Sequence, residues 1–258
     1  MSAPFFELDN VVVEFGGLRA LGGFSFQVER GTIHALIGPN GAGKSTVFNC
    51  ISRFYTPTQG DIRFEGRSLL RMRPHEIPKI GIGRTFQNIE LCKRLTVLEN
   101  VLVGASSTIP SYFPFWASPG RLRSEAQAVK DAEALLEEVG LSHYRDVPAE
   151  QLDFGHQKLL DVVRALAAKP RLLILDEPAA GLRNREIAAL NTMLVGLVRD
   201  RGITIILVEH VMQLVMAIAH RITVLSFGEK IAEGTPQEVR TNPMVVDAYL
   251  GKGAHAET

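Results

Sequence analysis

Cysteine is scarce in this chain of 258 residues, which contains two, Cys50 and Cys92, in no metal-binding or redox spacing. Two isolated thiols argue against a disulfide scaffold and favour a reducing compartment. An excess of charge is lacking too, because 28 Lys and Arg residues balance 28 Asp and Glu residues. A balanced chain has no overall field that attracts nucleic acid, so we expect no nucleic-acid partner.

Long hydrophobic runs are also missing. The most apolar stretches, residues 172–175 and 203–208, are far shorter than the roughly 20 residues that span a bilayer. Residues 1–10 show no basic segment followed by an apolar one, so no signal peptide is expected. We therefore expect a cytoplasmic protein that reaches a membrane through a partner.

The hydrophobic pattern predicts an α/β fold. The continuous apolar runs at 172–175 and 203–208 indicate strands buried on both faces of a parallel sheet, with a crossover helix at 187–198 between them. A largely helical insertion is expected between about 88 and 153. Further strands are predicted at 6–15, 24–28, 32–37, 61–64 and 222–226, and further helices at 47–52, 124–140, 154–168 and 236–250.

A glycine-rich loop lies between a predicted strand and a predicted helix. Its residues match the pattern G-x-x-x-x-G-K-S/T: Gly38, Pro39, Asn40, Gly41, Ala42, Gly43, Lys44 and Ser45, with Thr46 next. The glycines let backbone N–H groups converge on phosphate oxygens, and the following helix adds its positive end. Lys44 brings a charge to the terminal phosphates, and the Ser45 hydroxyl is placed to bind Mg²⁺. The loop predicts ATP binding.

Two carboxylates follow the apolar run at 172–175. Asp176 at the strand end is expected to hold Mg²⁺ directly or through water, and Glu177 to polarise the water that attacks the γ-phosphate. Such a pair is common at solvated strand ends. The pair indicates a metal and water site here because the same chain contains a phosphate-binding loop.

Over essentially its whole length, the chain resembles the nucleotide-binding subunit of ABC transporters. The resemblance implies the fold of those ATPases: a P-loop core with a parallel sheet, an N-terminal antiparallel β subdomain and a helical insertion. It also implies that Phe15 stacks on adenine, that Gln87 touches Mg²⁺ and water, and that His210 reaches the γ-phosphate. Taken singly, these residues also fit a core phenylalanine, a surface glutamine and a strand-end histidine, but their order and spacing favour the functional interpretation.

Within that family, the chain is similar to the larger ATP-binding subunit of branched-chain amino acid importers. Residues 15–21, 99–101 and 231–251 carry the similarity, together with the long insertion after Gln87. The resemblance implies a single domain over 1–258, with the core in 1–87 and 154–235, the helical subdomain in 88–153 and a tail in 236–258. The solute is not encoded here, and urea, short amides and aromatic acids are alternatives.

The implied partners are a second ATPase subunit and transmembrane permeases at the inner face of the cell membrane. A heterodimer is favoured, and a homodimer in isolation stays open. A soluble ABC ATPase, a P-loop kinase or GTPase and an inactive ATPase are the rival classes. The chain lacks the second ATPase unit or coiled-coil arm of the first and the guanine-binding Asn-Lys-x-Asp motif of the GTPases. Glu177 and His210 argue against an inactive ATPase.

The loop that defines the family departs from its usual form. Where relatives read Leu-Ser-Gly-Gly-Gln or Leu-Ser-Tyr-Gly-Gln, this chain has Leu152, Asp153, Phe154, Gly155, His156 and Gln157. Asp153 replaces the serine that contacts the γ-phosphate held by the opposing subunit, although aspartate caps a helix as well as serine does. A second departure, Gly181-Leu182-Arg183-Asn184, lies where relatives connect the two ATP sites. The aromatic segment 112–116 is interpreted equally well as a docking surface or as internal packing.

We expect Asp153 to weaken the ATP site that its loop completes. A carboxylate about 4 Å from a phosphate charge costs roughly 1 kcal/mol in water and about 4 kcal/mol at a protein surface. Asp153→Ser should therefore tighten ATP binding by the assembled transporter about fivefold or more. Unchanged turnover and ATP affinity in this variant would refute the expectation.

Overall fold

The computed structural model describes residues 4–86, 89–106 and 119–250. It divides into two compact units, one formed by Met1–Ile77 with Leu194–Thr258 and the other by Pro78–Met193. Gln87 and the aromatic segment 112–116 lie outside the described residues. The subdomain boundaries proposed from the sequence stay predictions.

The described strands are, in chain order, β1 (Phe6–Phe15), β2 (Leu18–Val28), β3 (Ile33–Ile37), β4 (Gln59–Phe64), β5 (Arg67–Ser68), β6 (Ile82–Arg84), β7 (Leu172–Asp176), β8 (Thr204–Val208), β9 (Arg221–Ser226) and β10 (Glu229–Gly234). The described α-helices are α1 (Lys44–Ile51), α2 (Val97–Ala105), α3 (Pro119–Glu138), α4 (Phe154–Leu166), α5 (Asn184–Arg201), α6 (Met212–Ile218), α7 (Pro236–Arg240) and α8 (Pro243–Leu250).

The first unit contains the predicted antiparallel sheet, in the order β2-β1-β4-β5. Phe6 lies opposite Val28 on one side and opposite Phe64 on the other. All three side chains are buried, so the alternating pattern of 6–15 turns its apolar face to a core. The fold predicted from the resemblance is confirmed in this part.

The same unit contains strands in the order β10-β9-β3-β8. β3 runs parallel to both β8 and β9, whereas β9 and β10 form an antiparallel hairpin. All five residues of β3 and all five of β8 are buried, as the continuous apolar runs predicted. Residues of α6, α7 and α8 pack against this sheet in a cluster that includes Val215, Val239 and Val245.

The second unit contains the parallel pair β6–β7 and the helices α2, α3 and α4. Thr96 begins α2 with a capping box: its hydroxyl accepts the Glu99 N–H, and the Glu99 carboxylate accepts the Thr96 N–H. α2 packs closely on α4, because a Cβ at Gly104 would lie 2.0 Å from the Arg164 carbonyl oxygen. A glycine is therefore required at this helix contact.

Two element predictions need correction. The helix predicted over 236–250 is interrupted into α7 and α8, because Pro243 disfavours the helical conformation at Asn242. The strand predicted from 24 begins at Leu18, where pairing with β1 continues through register shifts that obscure the alternation. Among the described residues, no helix has the length and apolar character that a membrane span requires.

His34 is a titratable side chain inside the sheet of the first unit. Its Nε2 lies 2.9 Å from the Thr223 Oγ1, and its ring meets the Phe26 ring edge-on at 4.6 Å between centroids. The side chain is 1% exposed. Burial lowers the pKa of His34 to about 4, against an opposing influence from Glu233. The folded protein therefore holds this histidine neutral at pH values where an unfolded chain binds a proton.

We predict that His34 makes the protein less stable in mild acid. Its contribution is fully present above the ordinary histidine pKa of about 6.5 and is lost as the pH falls toward 4, because the unfolded state then binds more protons. The loss between pH 7 and pH 5 amounts to about 2 kcal/mol. Urea unfolding at both pH values should show this difference in the wild type and a smaller one in His34→Gln. The exposed His75→Gln is the control, and a wild-type pH dependence in His34→Gln contradicts the prediction.

Candidate nucleotide site

The glycine-rich loop occupies the predicted position between β3 and α1. Gly43 precedes α1 in a left-handed conformation, with φ of 108°. The first N–H groups of a helix have no partner within the helix, so the N-terminus of α1 favours an anion at this loop. The local backbone is suited to phosphate oxygens.

Lys44 closes over the same loop. Its Nζ donates to the carbonyl oxygens of Gly38 at 2.7 Å and Pro39 at 2.9 Å. The side chain is 7% exposed. These two bonds hold a positive charge at the loop, where a phosphate chain would be bound.

The β9–β10 hairpin contacts the glycine-rich loop through the end of β9 and the turn that follows it. A Cβ at Gly38, whose φ is 157°, would lie 2.0 Å from the Leu225 carbonyl oxygen. The Ala42 carbonyl oxygen accepts the Gly228 N–H at 2.9 Å. The backbone of Gly38 also hydrogen-bonds Tyr249 of α8, whose pKa is raised by burial. The sequence analysis missed Tyr249, since its only signal is an aromatic residue in the C-terminal tail.

Phe15, the expected adenine platform, ends β1 and is 43% exposed. Its ring meets the Tyr55 ring edge-on, with 5.0 Å between centroids. The contact with Tyr55 restricts the Phe15 ring, and much of the Phe15 side chain stays accessible to solvent. Tyr55 was not anticipated from the sequence.

His210 follows β8 and is positioned through its neighbour Glu209. The buried Glu209 carboxylate accepts the N–H of His210 at 2.8 Å and that of Val211 at 3.0 Å. These bonds fix the backbone where the strand ends and leave the His210 side chain exposed. The sequence analysis missed Glu209, because no sequence pattern indicates that a carboxylate after a strand accepts the N–H groups of the next two residues.

Asp176 ends β7 in the second unit and is 4% exposed. Its N–H donates to the Thr85 Oγ1 at 3.1 Å, and its Oδ2 lies 3.7 Å from Nη2 of Arg84. Burial lowers the pKa of the Arg84 guanidinium, and the Asp176 carboxylate acts in the opposite direction. Arg84 at the end of β6 therefore supplies a positive charge to the end of β7, and Thr85, the next residue, supplies a hydroxyl.

Glu177 has a left-handed backbone with φ of 49°. Such a conformation costs a non-glycine residue about 1–3 kcal/mol and persists where neighbouring groups enforce it. Lys158 of α4 is one such group, since its Nζ donates to the Glu177 carbonyl oxygen at 3.1 Å. Lys158 is buried at 7% exposure and was not anticipated as a contact of Glu177.

The loop 152–157 leads into α4 in the same unit. Asp153 is the N-cap of α4, in agreement with the ability of aspartate to cap a helix as serine does. Its Oδ1 accepts the His156 N–H at 2.9 Å. The exposed Phe154 ring packs against residues 181–184, the second segment that departs from the family pattern. A Cβ at Gly181 would lie 2.7 Å from this ring. The two segments that depart from the family pattern are therefore in contact.

The site residues are distributed over both units. The first unit holds the phosphate-binding loop, Phe15 and His210, and the second holds Asp176, Glu177 and the loop 152–157. Gln87 lies outside the described residues. The roles assigned to these residues from the sequence remain predictions.

Comparison with known proteins decides the family. The model of the family described as ABC transporter matches residues 21–180. The chain belongs to this ABC transporter family. A second model, described as branched-chain amino acid ATP-binding cassette transporter, matches residues 229–255.

Similar proteins are known by sequence over the full length of this ABC ATPase. It is 41% identical to the high-affinity branched-chain amino acid transport ATP-binding protein BraF of Pseudomonas aeruginosa, covering 98% of this chain and 100% of that protein. Identity to the corresponding protein LivG of Escherichia coli is 38%, with the same coverage.

Solved structures of cassettes from ABC transporters have the same fold. A nucleotide-free cassette superposes with a TM-score of 0.84 at 32% identity, covering 97% of this chain and 100% of the other. A dimeric cassette in a post-hydrolysis state, bound to ADP and phosphate, gives 0.74 at 27% identity, covering 90% and 98%. This ABC ATPase is therefore an ATP-hydrolysing subunit of a transporter, as the sequence predicted.

Lys158→Met tests how the backbone of Glu177 is held. The substitution keeps the apolar stem and removes the ammonium that fixes the Glu177 carbonyl, so we expect kcat for ATP hydrolysis to fall about tenfold. KM for ATP should change little, because the Lys158 ammonium is bonded to the backbone of Glu177 and is assigned no contact with ATP. Steady-state ATPase assays measure both values.

The exposed Lys130 of α3 provides a matched control, and Lys130→Met should leave kcat unchanged. Equal kcat values for the two variants would show that the Lys158 bond has no part in turnover.

Proposed function

We propose that this chain is the ATP-hydrolysing motor subunit of an importer for branched-chain or related amino acids. The observation that carries the proposal is the similarity to BraF and LivG over the whole chain, together with the match of residues 229–255 to the branched-chain family. The permeases and a binding protein select the solute, so urea, short amides and aromatic acids stay as alternative cargoes.

ATP is bound through its phosphates in this proposal. Backbone N–H groups of Gly41 and Gly43 and the N-terminus of α1 bind the phosphate oxygens, and Lys44 exchanges its carbonyl partners for them. Phe15 supplies a ring for the adenine. Support comes from the accessible Phe15 ring and from the loop backbone, whose shape the β9–β10 turn maintains.

Mg²⁺ would be held by the Ser45 hydroxyl, Asp176 and Gln87. Magnesium prefers oxygen donors and in nucleotide sites takes one or two protein ligands beside the substrate phosphates. The donor set fits, since a hydroxyl, a carboxylate and an amide supply oxygen. Among the described residues, no group of three or more His, Cys, Asp or Glu side chains could hold a metal ion. The ion would neutralise charge on the phosphates.

Hydrolysis is an in-line attack of water on the γ-phosphorus. A new P–O bond forms to the water oxygen while the bond to the β–γ bridging oxygen breaks. Glu177 orients and polarises the water, and Lys44 and His210 stabilise the charge that develops on the γ-phosphate. The hydrogen bonds that fix the backbones of Glu177 and His210 keep both side chains in position.

A second ATPase subunit completes each site. Two subunits face each other head to tail, and the loop 152–157 of one contacts ATP on the phosphate-binding loop of the other. The dimeric cassette among the similar structures supports the pairing of two ATPase subunits. We favour a heterodimer, because in a homodimer both ATP sites would carry Asp153. Permeases bind the pair at the inner face of the membrane, with Gln87 and the insertion 88–153 transmitting the motion.

Glu177→Gln tests the mechanism. The amide keeps the shape of the side chain but polarises water poorly, so turnover by the assembled transporter should fall about a hundredfold or more while ATP stays bound. Retained nucleotide is measured by filtration with labelled ATP. The exposed Glu137→Gln of α3 is the matched control and should hydrolyse ATP normally. Normal turnover in Glu177→Gln would falsify the assigned role.

The cargo is tested by reconstituting the chain with the permeases, second ATPase and binding protein of a branched-chain amino acid importer. ATP hydrolysis in proteoliposomes should rise with leucine-loaded binding protein and remain basal with urea, amide or aromatic acid. Stimulation by one of the other solutes would replace the amino-acid assignment and leave the ATPase mechanism intact.

A further inference from the structure

Two residues that differ from the family loop contact each other directly. Asp153 stands at the family's serine, and His156 stands at the glutamine of Leu-Ser-Tyr-Gly-Gln. The Asp153 Oδ1 accepts the His156 N–H at 2.9 Å, and its Oδ2 lies 2.8 Å from the His156 Nδ1. Both oxygens of the carboxylate are therefore directed to the same histidine.

The chemistry of this contact fixes the protonation of the ring at Nδ1. The backbone hydrogen bond from His156 is the largest influence that lowers the pKa of Asp153, so the carboxylate is ionised near neutral pH and can only accept. Nδ1 must then carry the hydrogen. Nε2 is consequently an acceptor in the neutral ring, and it becomes a donor when the ring is an imidazolium.

The groups around His156 carry mixed charge. The Tyr144 ring lies against the imidazole, with 4.9 Å between centroids. Glu186 of α5 lies next to the loop, since a Cβ at Gly155 would be 3.0 Å from its Oε1. The Lys158 ammonium lies 5.9 Å from the Phe154 ring centroid. Two carboxylates, Asp153 and Glu186, and one ammonium, Lys158, therefore lie around the loop, and Glu186 also accepts the Arg183 N–H at 2.7 Å. An imidazolium at His156 adds a positive charge in direct contact with Asp153.

We propose that protonation of His156 allows this loop to accept the γ-phosphate of ATP held by the partner subunit. The inference rests on the proposed role of the loop in completing the partner's ATP site. A triphosphate offers acceptors only, so the neutral ring presents it with a lone pair beside a carboxylate, whereas the imidazolium presents a donor and cancels that charge. ATP-driven closure of the subunit pair therefore takes up a proton at His156.

The assembled transporter carrying Glu177→Gln allows binding to be measured without turnover. Calorimetry with Mg-ATP in two buffers of different ionisation enthalpy gives the protons taken up per ATP at pH 7. ATP affinity in this parent should weaken about tenfold from pH 6 to pH 8, the range in which an imidazole loses its charge. His156→Gln, which restores the family's residue, should bind fewer protons and have a flatter profile.

His143→Gln, an exposed histidine close by in the sequence, is the matched control and should retain the proton uptake and the pH dependence of the parent. Thermal midpoints establish that each variant is folded. A flat pH profile in the parent, or equal proton uptake in the parent and His156→Gln, overturns the proposal. A flat parent profile overturns the proposal even where a variant is unstable. A pH-dependent profile is assigned to His156 by the comparison with His156→Gln, because His210 is also placed at the γ-phosphate.

Asp153→Ser in the same background separates this proposal from the function on which it rests. If Asp153→Ser changes ATP affinity while His156→Gln keeps the parent's pH dependence, the loop completes the site but His156 does not control it. If neither Asp153→Ser nor His156→Gln alters affinity or proton uptake, the loop has no contact with ATP and the proposed role fails as well.

Discussion

The passage from β3 into α1 depends on a backbone position that has no room for a side chain. At Gly38 a Cβ would lie 2.0 Å from the Leu225 carbonyl oxygen, inside any permitted contact distance. The loop can therefore rest directly on the β9–β10 turn, with the Ala42 carbonyl bonded to the Gly228 N–H. These contacts with a hairpin distant in sequence restrict the backbone of the loop, and such restriction lowers the ordering cost of binding a ligand.

The same principle places the chemically active side chains. Each is held through its backbone by a residue from elsewhere or by a neighbour: Asp176 by the Thr85 hydroxyl, Glu177 by Lys158, and His210 by the Glu209 carboxylate. These bonds are made to backbone groups, so they do not use the side-chain atoms to which the proposed mechanism assigns a role. The strained φ of Glu177 is then a consequence of presenting its carboxylate in one direction, maintained by a buried ammonium.

Much of the fold could be predicted from the sequence, because its strongest signals are local. The apolar runs became the fully buried strands β7 and β8, and the glycine-rich loop lies between strand and helix as expected. The supporting contacts could not be predicted. Lys158 precedes Glu177 by 19 residues, and Tyr249 follows Gly38 by more than 200, so no spacing rule connects them. Only the fold brings such pairs together.

The structure also changes the electrostatic argument about Asp153. The penalty expected from the sequence, up to about 4 kcal/mol, applies to a carboxylate whose oxygens face the phosphate. Here both oxygens are engaged by His156, one in capping α4 and the other at the imidazole. A serine caps a helix with one oxygen and adds no charge. An aspartate at this position caps the helix equally well, but it needs a cationic neighbour to cancel the charge it adds. The two substitutions therefore form one unit, and the charge of that unit is decided at the histidine.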